Sequence, residues 1–306
     1  MKIFDTIQAL NEDTAITLGT FDGLHIGHVK IIKQLVKDAK ERNLKSVIYT
    51  FKNHPLSLNG SRETPSTIFK LDYKKRILEE LGVDILVFLT FDEEQKSIDP
   101  NHFIEDILVN KLRMKHLVVG YDYHFGKEAE GNTELLIKSS KKFNYTYDIV
   151  DPIKKDYVRV SSTLIRKLLA NGKIKDANYY LGRPYSLEGK VINGEKIGRQ
   201  IGYPTANLEL DNNFAILRSG VYITKTLVDG VFYYSVTNVG FNPTLKQSDF
   251  SVETHILDFD QWIYGKHIRI NFYKKIRDEL KFKDVEELKE YIRWDVYNTK
   301  HFFNLI

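Results

Sequence analysis

The sequence predicts an α/β chain in two parts: a doubly wound parallel sheet, then an all-β barrel or sandwich that ends in a helix. Three observations carry this. β-like and helical segments alternate up to about residue 150, short β-rich runs separated by turns take over after residue 183, and a glycine-rich turn, "GTFDGLHIGH" (19–28), directly follows an apolar run. Alternating β and α segments are the pattern of a parallel sheet covered on both faces, whereas closely spaced short strands are that of a barrel or sandwich.

The first strand is "TAITL" (14–18), apolar and β-prone. Ile31, Ile32, Leu35, Val36 and Ala39 then recur at helical spacing up to Asn43, and "SVIYTF" (46–51) reads as a second buried strand. Strand, glycine-rich turn, helix, strand is a βαβ unit with a right-handed crossover. The pattern continues with a helix over 70–81, a strand in "DILVFLTF" (84–91), a helix over 101–113, a strand in "HLVVG" (116–120), a helix over 132–143 and a short strand over 146–150. Ligands of such sheets bind beyond the carboxyl ends of the strands, which is where "GTFDGLHIGH" falls.

"LGRPYS" (181–186) marks the boundary, giving domains over 1–183 and 184–306. In the second, "SLEGKVI", "GVYITKTLV", "VFYYSVTNV", "SVETHILDF" and "KHIRINFY" are the strands, and Asp229-Gly230 is a type I′ hairpin signal. Residues 284–296 read as an amphipathic helix with Asp284 as N-cap and Val285, Leu288, Tyr291 and Ile292 on one face. The final "VYNTKHFFNLI" is expected to dock its apolar residues.

Composition narrows the function. With 42% hydrophobic and 28% charged residues the chain is an ordinary globular protein, long enough for two cores. It has no cysteine, which excludes disulfides, thiolate zinc sites and cysteine nucleophiles and fits a reducing compartment. No stretch approaches the roughly 18 apolar residues of a membrane span, and the first residues carry no apolar signal core, so a cytoplasmic location and no membrane partner are expected. A net charge of +4 from 45 basic and 41 acidic residues, dispersed along the chain, speaks against nucleic acid as a partner. Nothing in the sequence specifies oligomeric state.

"GTFDGLHIGH" packs Gly19, Phe21, Asp22, Gly23, His25, Gly27 and His28 into ten residues. The residues alone leave three readings: a metal site, a phosphate site or a plain turn. Helical zinc pairs stand at i and i+4 with a glutamate between, which this is not. A helix that starts near Gly27 instead offers free N–H groups and a positive dipole end to an anion, and the two imidazoles add donors where negative charge collects as a phosphoanhydride breaks. Phosphate is the better reading. "VSSTLIR" (160–166) alone is a helix cap by Ser161, Ser162 and Thr163 with Arg166 one turn on, and "PTAN" (204–207) alone is an ordinary turn. Thr205 and Asn207 nevertheless offer the hard oxygens that suit Mg²⁺. In "SVETHILDF", Val252, Thr254 and Ile256 share one strand face while Glu253 and His255 share the other.

These stretches, taken together, resemble the bacterial bifunctional riboflavin kinase/FAD synthetases. H-x-G-H after a first strand resembles the signature of the nucleotidyltransferase superfamily, and the longer G-x-F-D-G-x-H-x-G-H resembles the FMN-adenylylating module of that family. "TFKNHP" (50–55), "GYDYHFG" (120–126) and "VSSTLIR" follow in the family's order. "GEKIGRQIGYPTAN", "TNVGFNPTL" (237–245) and "SVETHILDF" are similar to the riboflavin kinase motifs, so the resemblance runs to about residue 296.

The resemblance implies a Rossmann-like nucleotidyltransferase domain and a riboflavin kinase barrel that act on riboflavin, FMN and ATP with Mg²⁺, FMN and FAD being substrate and products, not redox cofactors. It implies Glu253 as general base and His25, His28 and Arg166 as catalytic groups of adenylyl transfer. Gly19, Phe21, Asp22, Gly23, Gly27, Ser161, Ser162 and Thr163 would bind the phosphates of one ATP, and Gly198 and Arg199 those of the other. It implies flavin contacts at His54, Asp122, Phe125 and Asn238, and Mg²⁺ at Thr205 and Asn207. Asn53, Tyr121, His124, Asn242 and Leu245 depart from the family pattern. Two rivals are adenylyl or cytidylyl transfer to another acceptor, and a non-catalytic flavin-responsive regulator.

Overall fold

The computed structural model describes residues 1–59, 64–194, 197–210, 217–242 and 249–306. They fall into two units, Met1–Thr67 with Leu71–Ser162, and Ile68–Lys70 with Thr163–Ile306. In the first, strands β1 (Lys2–Phe4), β2 (Thr14–Leu18), β3 (Lys45–Phe51), β4 (Ile85–Leu89), β5 (Met114–Gly120) and β8 (Thr146–Val150) form one sheet in the order β1-β4-β3-β2-β5-β8. Every pairing in it is parallel. Between β5 and β8 lies a small antiparallel pair, β6 (His124–Phe125) and β7 (Gly131–Asn132), and after β8 another, β9 (Lys154–Lys155) and β10 (Val158–Arg159).

β2 and β4 are buried along their whole length, as apolar runs in a sheet covered on both sides must be. Helix α1 (Ile26–Glu41) packs on β2, β3 and β5 through Ile32, Leu35 and Ala39. Helix α2 (Leu71–Glu80) follows β3, and the short α3 (Glu93–Ser97) and α4 (Pro100–His102) follow β4. The helix expected over 101–113 continues as a π-helix, Phe103–Lys111, closed by a Leu112 N–H to Ile107 carbonyl bond of 2.9 Å. The wider turn sets Phe103, Ile107, Leu108 and Leu112 together in the core. Helix α5 (Thr133–Phe143) precedes β8, its first turn capped by Asn132.

The sheet winds from β2 to β3 and β4 on one side and to β5 and β8 on the other. The chain therefore reverses beside β2, and the carboxyl end of β2 opens on the crevice where ligands of such sheets bind. "GTFDGLHIGH" begins at that end.

The second unit starts with helices α6 (Ser162–Ala170, whose first residue belongs to the first unit) and α7 (Ile174–Leu181). Its strands, β11 (Tyr185–Ile192), β12 (Ala206–Glu209), β13 (Gly220–Val228), β14 (Val231–Asn242), β15 (Asp249–Ile256) and β16 (His267–Arg277), close into a barrel in the order β11-β12-β15-β14-β13-β16. The barrel, not the sandwich, is therefore the architecture. Asp229 and Gly230 have φ of 47° and 84°, the left-handed pair that a type I′ hairpin requires. Helix α8 (Ile197–Gln200) lies between β11 and β12. Inside the barrel, fully buried Thr224, Thr226, Ser235, Thr237 and Thr254 bond to one another at 2.7–3.4 Å, which satisfies hydroxyls that would otherwise be costly to bury.

Helix α9 (Val285–Phe302) starts where expected, with the Asp284 carboxylate accepting the Glu287 N–H at 2.9 Å, but runs six residues beyond the expected end. The extension and the Phe303 that follows explain the apolar tail: the Phe303 ring packs 4.8 Å from that of Tyr234 and 5.2 Å from that of Tyr273. Of the predicted apolar face, Leu288 and Ile292 line a cavity, while Val285 and Tyr291 are exposed.

Asp295 of α9 is 1% exposed and binds Arg277 of β16, with Nη2 at 2.8 Å and Nε at 3.2 Å from its carboxylate. Burial raises the Asp295 pKa despite this partner, so desolvation costs more than the pair returns. Breaking the pair is another matter, since it leaves a largely covered guanidinium without its carboxylate. We predict that Asp295→Ala destabilises the barrel unit by about 3–5 kcal/mol, measured as a lower urea midpoint for loss of barrel structure. A change under about 1 kcal/mol would show the pair to be solvated.

Candidate active sites

The loop after β2 is held in an uncommon conformation. Phe21 and Leu24 are left-handed, with φ of 47° and 41°, and Gly23 has φ of 76°. Both non-glycine side chains are buried, Phe21 at 2% and Leu24 at 0% exposure, so core packing offsets the backbone strain. His25 is the N-cap of α1, its Nδ1 accepting the His28 N–H at 3.3 Å. That bond leaves the proton of a neutral His25 on Nε2, as a donor. The His25 and His28 rings stack at 3.6 Å, and His28 meets the Phe21 ring edge-on at 5.3 Å. A Cβ on Gly27 would stand 3.1 Å from the His25 ring, and one on Gly19 the same distance from Phe21. Both glycines thus make room for rings.

Burial lowers the His28 pKa well below the ordinary imidazole range, and the nearby His25 and Lys74 add to this. His28 is neutral at pH 7. Its Nδ1 is buried with no hydrogen-bond partner among the described residues, which costs about 1–3 kcal/mol and is tolerated where a ligand completes the site. The Ser162 hydroxyl donates to the Asp22 carbonyl at 2.8 Å and so joins "VSSTLIR" to the histidine loop. Thr163 and Arg166 belong to the second unit, Arg166 half-buried on α6.

Beside Gly19 and Thr20 opens a cavity of about 350 Å³, walled by Tyr49, Phe51, Phe91, Phe103, Tyr123 and Phe125. An aromatic slot of this kind suits a planar heterocycle. Among the predicted flavin contacts Phe125 lines it. His54 Nδ1 accepts the Leu56 N–H at 3.2 Å, and the Asp122 carboxylate is paired with Arg159. Asn53, a departure from the family pattern, binds both backbone polar groups of Phe91, at 2.7 and 2.9 Å, and ties the end of β3 to the end of β4. Tyr121 lies under the Arg159 guanidinium, and His124 Nδ1 donates to the Asp122 carbonyl at 2.9 Å.

The second site is set by strand register. Asn207 of β12 pairs with Glu253 of β15, which pairs with Asn238 of β14, so the three side chains stand in one row on one face. β15 is flanked on both sides, and Val252, Thr254 and Ile256 are buried on its other face as the alternation predicts. The Thr205 hydroxyl donates to Glu253 at 3.4 Å, and His255 Nδ1 donates to the Pro204 carbonyl at 2.8 Å, which pins the Pro-Thr-Ala-Asn turn to the strand. Gly198 lies against the same turn, where a Cβ would come within 2.4 Å of the Tyr203 carbonyl oxygen. Two cavities meet at Thr205. One, of about 290 Å³, holds Asn238, Glu253, His255, Leu288 and Ile292; the other, of about 340 Å³, holds Arg199, Phe259, Trp262 and Tyr264. The Asn242 side chain and Leu245 lie outside the described residues.

Asp38, His116 and Asp148 come within metal-ligand spacing. The His116 ring is 3.3 Å from Asp38 and 2.8 Å from the Thr146 hydroxyl, and Gln34 donates to Asp38 at 2.9 Å, so mutual hydrogen bonds account for the group. Sequence reasoning missed Lys74 and most of the aromatic slot. Lys74 could have been noticed as a lysine at helical spacing with Ile77 and Leu78, on the face of α2 that is buried.

A family model for FAD synthetase matches residues 7–164, and one for riboflavin kinase matches residues 181–303. The chain is similar to bifunctional riboflavin kinase/FMN adenylyltransferases throughout its length. The Haemophilus influenzae protein is 37% identical over 95% of this chain and 94% of its own, and the Escherichia coli K12 protein 35% identical over 99% and 97%. The Buchnera aphidicola (strain Sg) protein is 34% identical over 98% and 97%. A crystal structure from Streptococcus pneumoniae, described as a macrolide-efflux protein, has a TM-score of 0.90 and 29% identity and covers 98% of this chain and 99% of that one. Among the described residues no helix is long and apolar enough to cross a membrane.

Proposed function

Since the chain belongs to the bifunctional riboflavin kinase/FMN adenylyltransferases of flavin cofactor biosynthesis, we propose that each of its two reactions is run by a separate set of side chains. The observation that carries this is the pair of unlike constellations, a carboxylate between two asparagines across neighbouring barrel strands and a stacked histidine pair, His25 buried and His28 partly so, on a helix cap. On this reading the functional division falls between residues 183 and 184, and the cysteine-free enzyme works in the cytoplasm.

In the barrel, the terminal ribityl hydroxyl of riboflavin attacks the γ-phosphorus of ATP. Glu253 takes its proton as the new O–P bond forms and the bond to ADP breaks. Asn238 contacts the flavin side, while Gly198 and Arg199 hold the ATP phosphates. Thr205 and Asn207 supply neutral hard oxygens beside the Glu253 carboxylate, a donor set that fits Mg²⁺. When bound there, Mg²⁺ neutralises charge on the phosphate oxygens.

In the parallel-sheet unit, a phosphate oxygen of FMN attacks the α-phosphorus of a second ATP, and the bond to pyrophosphate breaks. His25 and His28 donate hydrogen bonds to the charge that collects on the leaving group. Gly19, Phe21, Asp22, Gly23 and Gly27 shape the loop around the triphosphate, and Ser161 and Ser162 add a second clamp on it, with Thr163 and Arg166 on the helix that follows. The aromatic slot with Phe125 takes the isoalloxazine, with His54 and Asp122 at its margin.

Chromatography of the protein incubated with riboflavin, ATP and Mg²⁺ should show FMN, then FAD with stoichiometric pyrophosphate. FAD formed from riboflavin but not from supplied FMN would refute the two-step scheme. A further expectation concerns the cation. Thr205→Ala should raise the Mg²⁺ concentration for half-maximal riboflavin phosphorylation roughly tenfold or more and leave the FMN adenylylation rate unchanged. An unaltered Mg²⁺ titration would rule out a ligand role for Thr205.

A further inference from the structure

Lys74 occupies a place that lysine rarely takes. It lies on the inner face of α2 with only 6% of its surface exposed. Its Nζ donates to the Thr20 carbonyl at 2.6 Å and to the Thr50 hydroxyl at 3.0 Å, and Thr50 itself donates to the same Thr20 carbonyl at 3.1 Å. The Phe88 ring, with its centroid 5.4 Å away, covers part of the remaining surface. Thr20 is the residue between Gly19 and the strained Phe21, so these bonds converge where the loop leaves β2.

A buried ammonium held only for packing would be a poor choice. A methionine of similar length fills such a space without the desolvation cost of a charge, which is several kcal/mol for an unpaired ion. Burial pulls the Lys74 pKa down to about 8, with the Asp22 carboxylate opposing the shift, so the group is still mainly cationic at pH 7. That charge also bears electrostatically on His28. What distinguishes lysine here is a cation and a donor behind a loop that faces a triphosphate.

We propose that Lys74 is a positioning residue for adenylyl transfer, fixing the Thr20 carbonyl and setting a positive charge behind the His25–His28 stack. The ammonium does not touch the reacting atoms. It holds the loop in the left-handed conformation at Phe21 that sets the Phe21 ring edge against His28, and it biases the site toward an anionic ligand. The inference rests on the reading of the two histidines as leaving-group donors.

The chain has no cysteine, so Lys74→Cys introduces a single thiol that 2-bromoethylamine, applied in urea before refolding, converts to a lysine analogue with the ammonium in place. Riboflavin phosphorylation by the barrel is the internal control. Lys74→Met and unmodified Lys74→Cys should lose about 10²-fold in kcat for FMN adenylylation, the scale of a misplaced reacting group, with the KM for FMN and the phosphorylation rate within about twofold of wild type. Aminoethylated Lys74→Cys should recover most of the loss. Full adenylylation by Lys74→Met overturns the proposal. So does a loss that aminoethylation leaves unrepaired, and so does equal loss of phosphorylation in all three variants, which would make Lys74 a general folding residue. His28→Ala in the same assay separates the two ideas: if it adenylylates FMN at the wild-type rate, the histidine reading fails, whereas a damaged His28→Ala beside an intact Lys74→Met removes only the role of Lys74.

Discussion

Replacing Glu253 by glutamine is expected to lower riboflavin phosphorylation by roughly 10²–10⁴-fold, the ordinary contribution of a general base. FAD formation from supplied FMN should stay within about twofold of wild type, because none of the residues proposed for adenylyl transfer lies on β15. Glutamine is the sharper substitution, since it keeps the length and an oxygen to accept from the Thr205 hydroxyl but cannot take a proton. The effect should fall on kcat rather than on the KM for riboflavin, as expected when a group acts only in the transition state. A Glu253→Gln enzyme with wild-type kcat would mean that the ribityl proton goes elsewhere, and the row of Asn207, Glu253 and Asn238 would then be a binding feature alone.

The two sites differ in how far the sequence reveals them. In "GTFDGLHIGH" nearly all of the chemistry is local: the cap, the ring stack and the helix start involve residues within ten positions, so the motif and its geometry are one thing. The strands that frame it are equally legible, "TAITL" coinciding with β2, because a buried parallel strand is a continuous apolar run. Lys74 is not legible in that way. Its partners, Thr20 and Thr50, stand 54 and 24 positions away, and only the folded sheet joins them. The same holds for the Asn207–Glu253–Asn238 row, whose register is a property of three strands and not of any one motif.

The barrel hid more than the parallel sheet. Tyr222, Ile223 and Thr224 are consecutive in β13 and all buried, because helices and the barrel interior cover the two faces of the strand. Period-two alternation therefore weakens, and with it the means of telling a barrel from a sandwich. The hydroxyl cluster of Thr224, Ser235, Thr237 and Thr254 is polar by residue type yet fully buried, which no single strand's composition announces. It is inside because each hydroxyl finds another. Two further features are illegible for a different reason: α7 is short, and the stretch Phe103–Lys111, though legible as a helix, shares its apolar periodicity with an ordinary α-helix until the hydrogen-bond register is seen.

The other large effect is expected from His28→Ala. It should reduce FMN adenylylation by about 10²–10³-fold, the range for removing one donor from a charge-stabilising site, and cause FMN to accumulate when riboflavin is the starting material. The argument turns on protonation. Burial first, then His25 and Lys74, hold the His28 pKa well below the ordinary imidazole range, so the ring donates as a neutral N–H at pH 7 and needs no ionisation to work. Adenylylation by the wild-type enzyme should then lack an activity limb near pH 6.5, the ordinary imidazole value, and should fall only in more acidic solution. Stability follows the same sign. Because the folded state holds His28 neutral while the unfolded chain protonates near 6.5, this group's contribution is intact above that pH and lost progressively as the pH drops below it. A rate limb centred near 6.5 that disappears in His28→Ala would show instead that His28 must ionise in the working range, and the neutral-donor mechanism would fail.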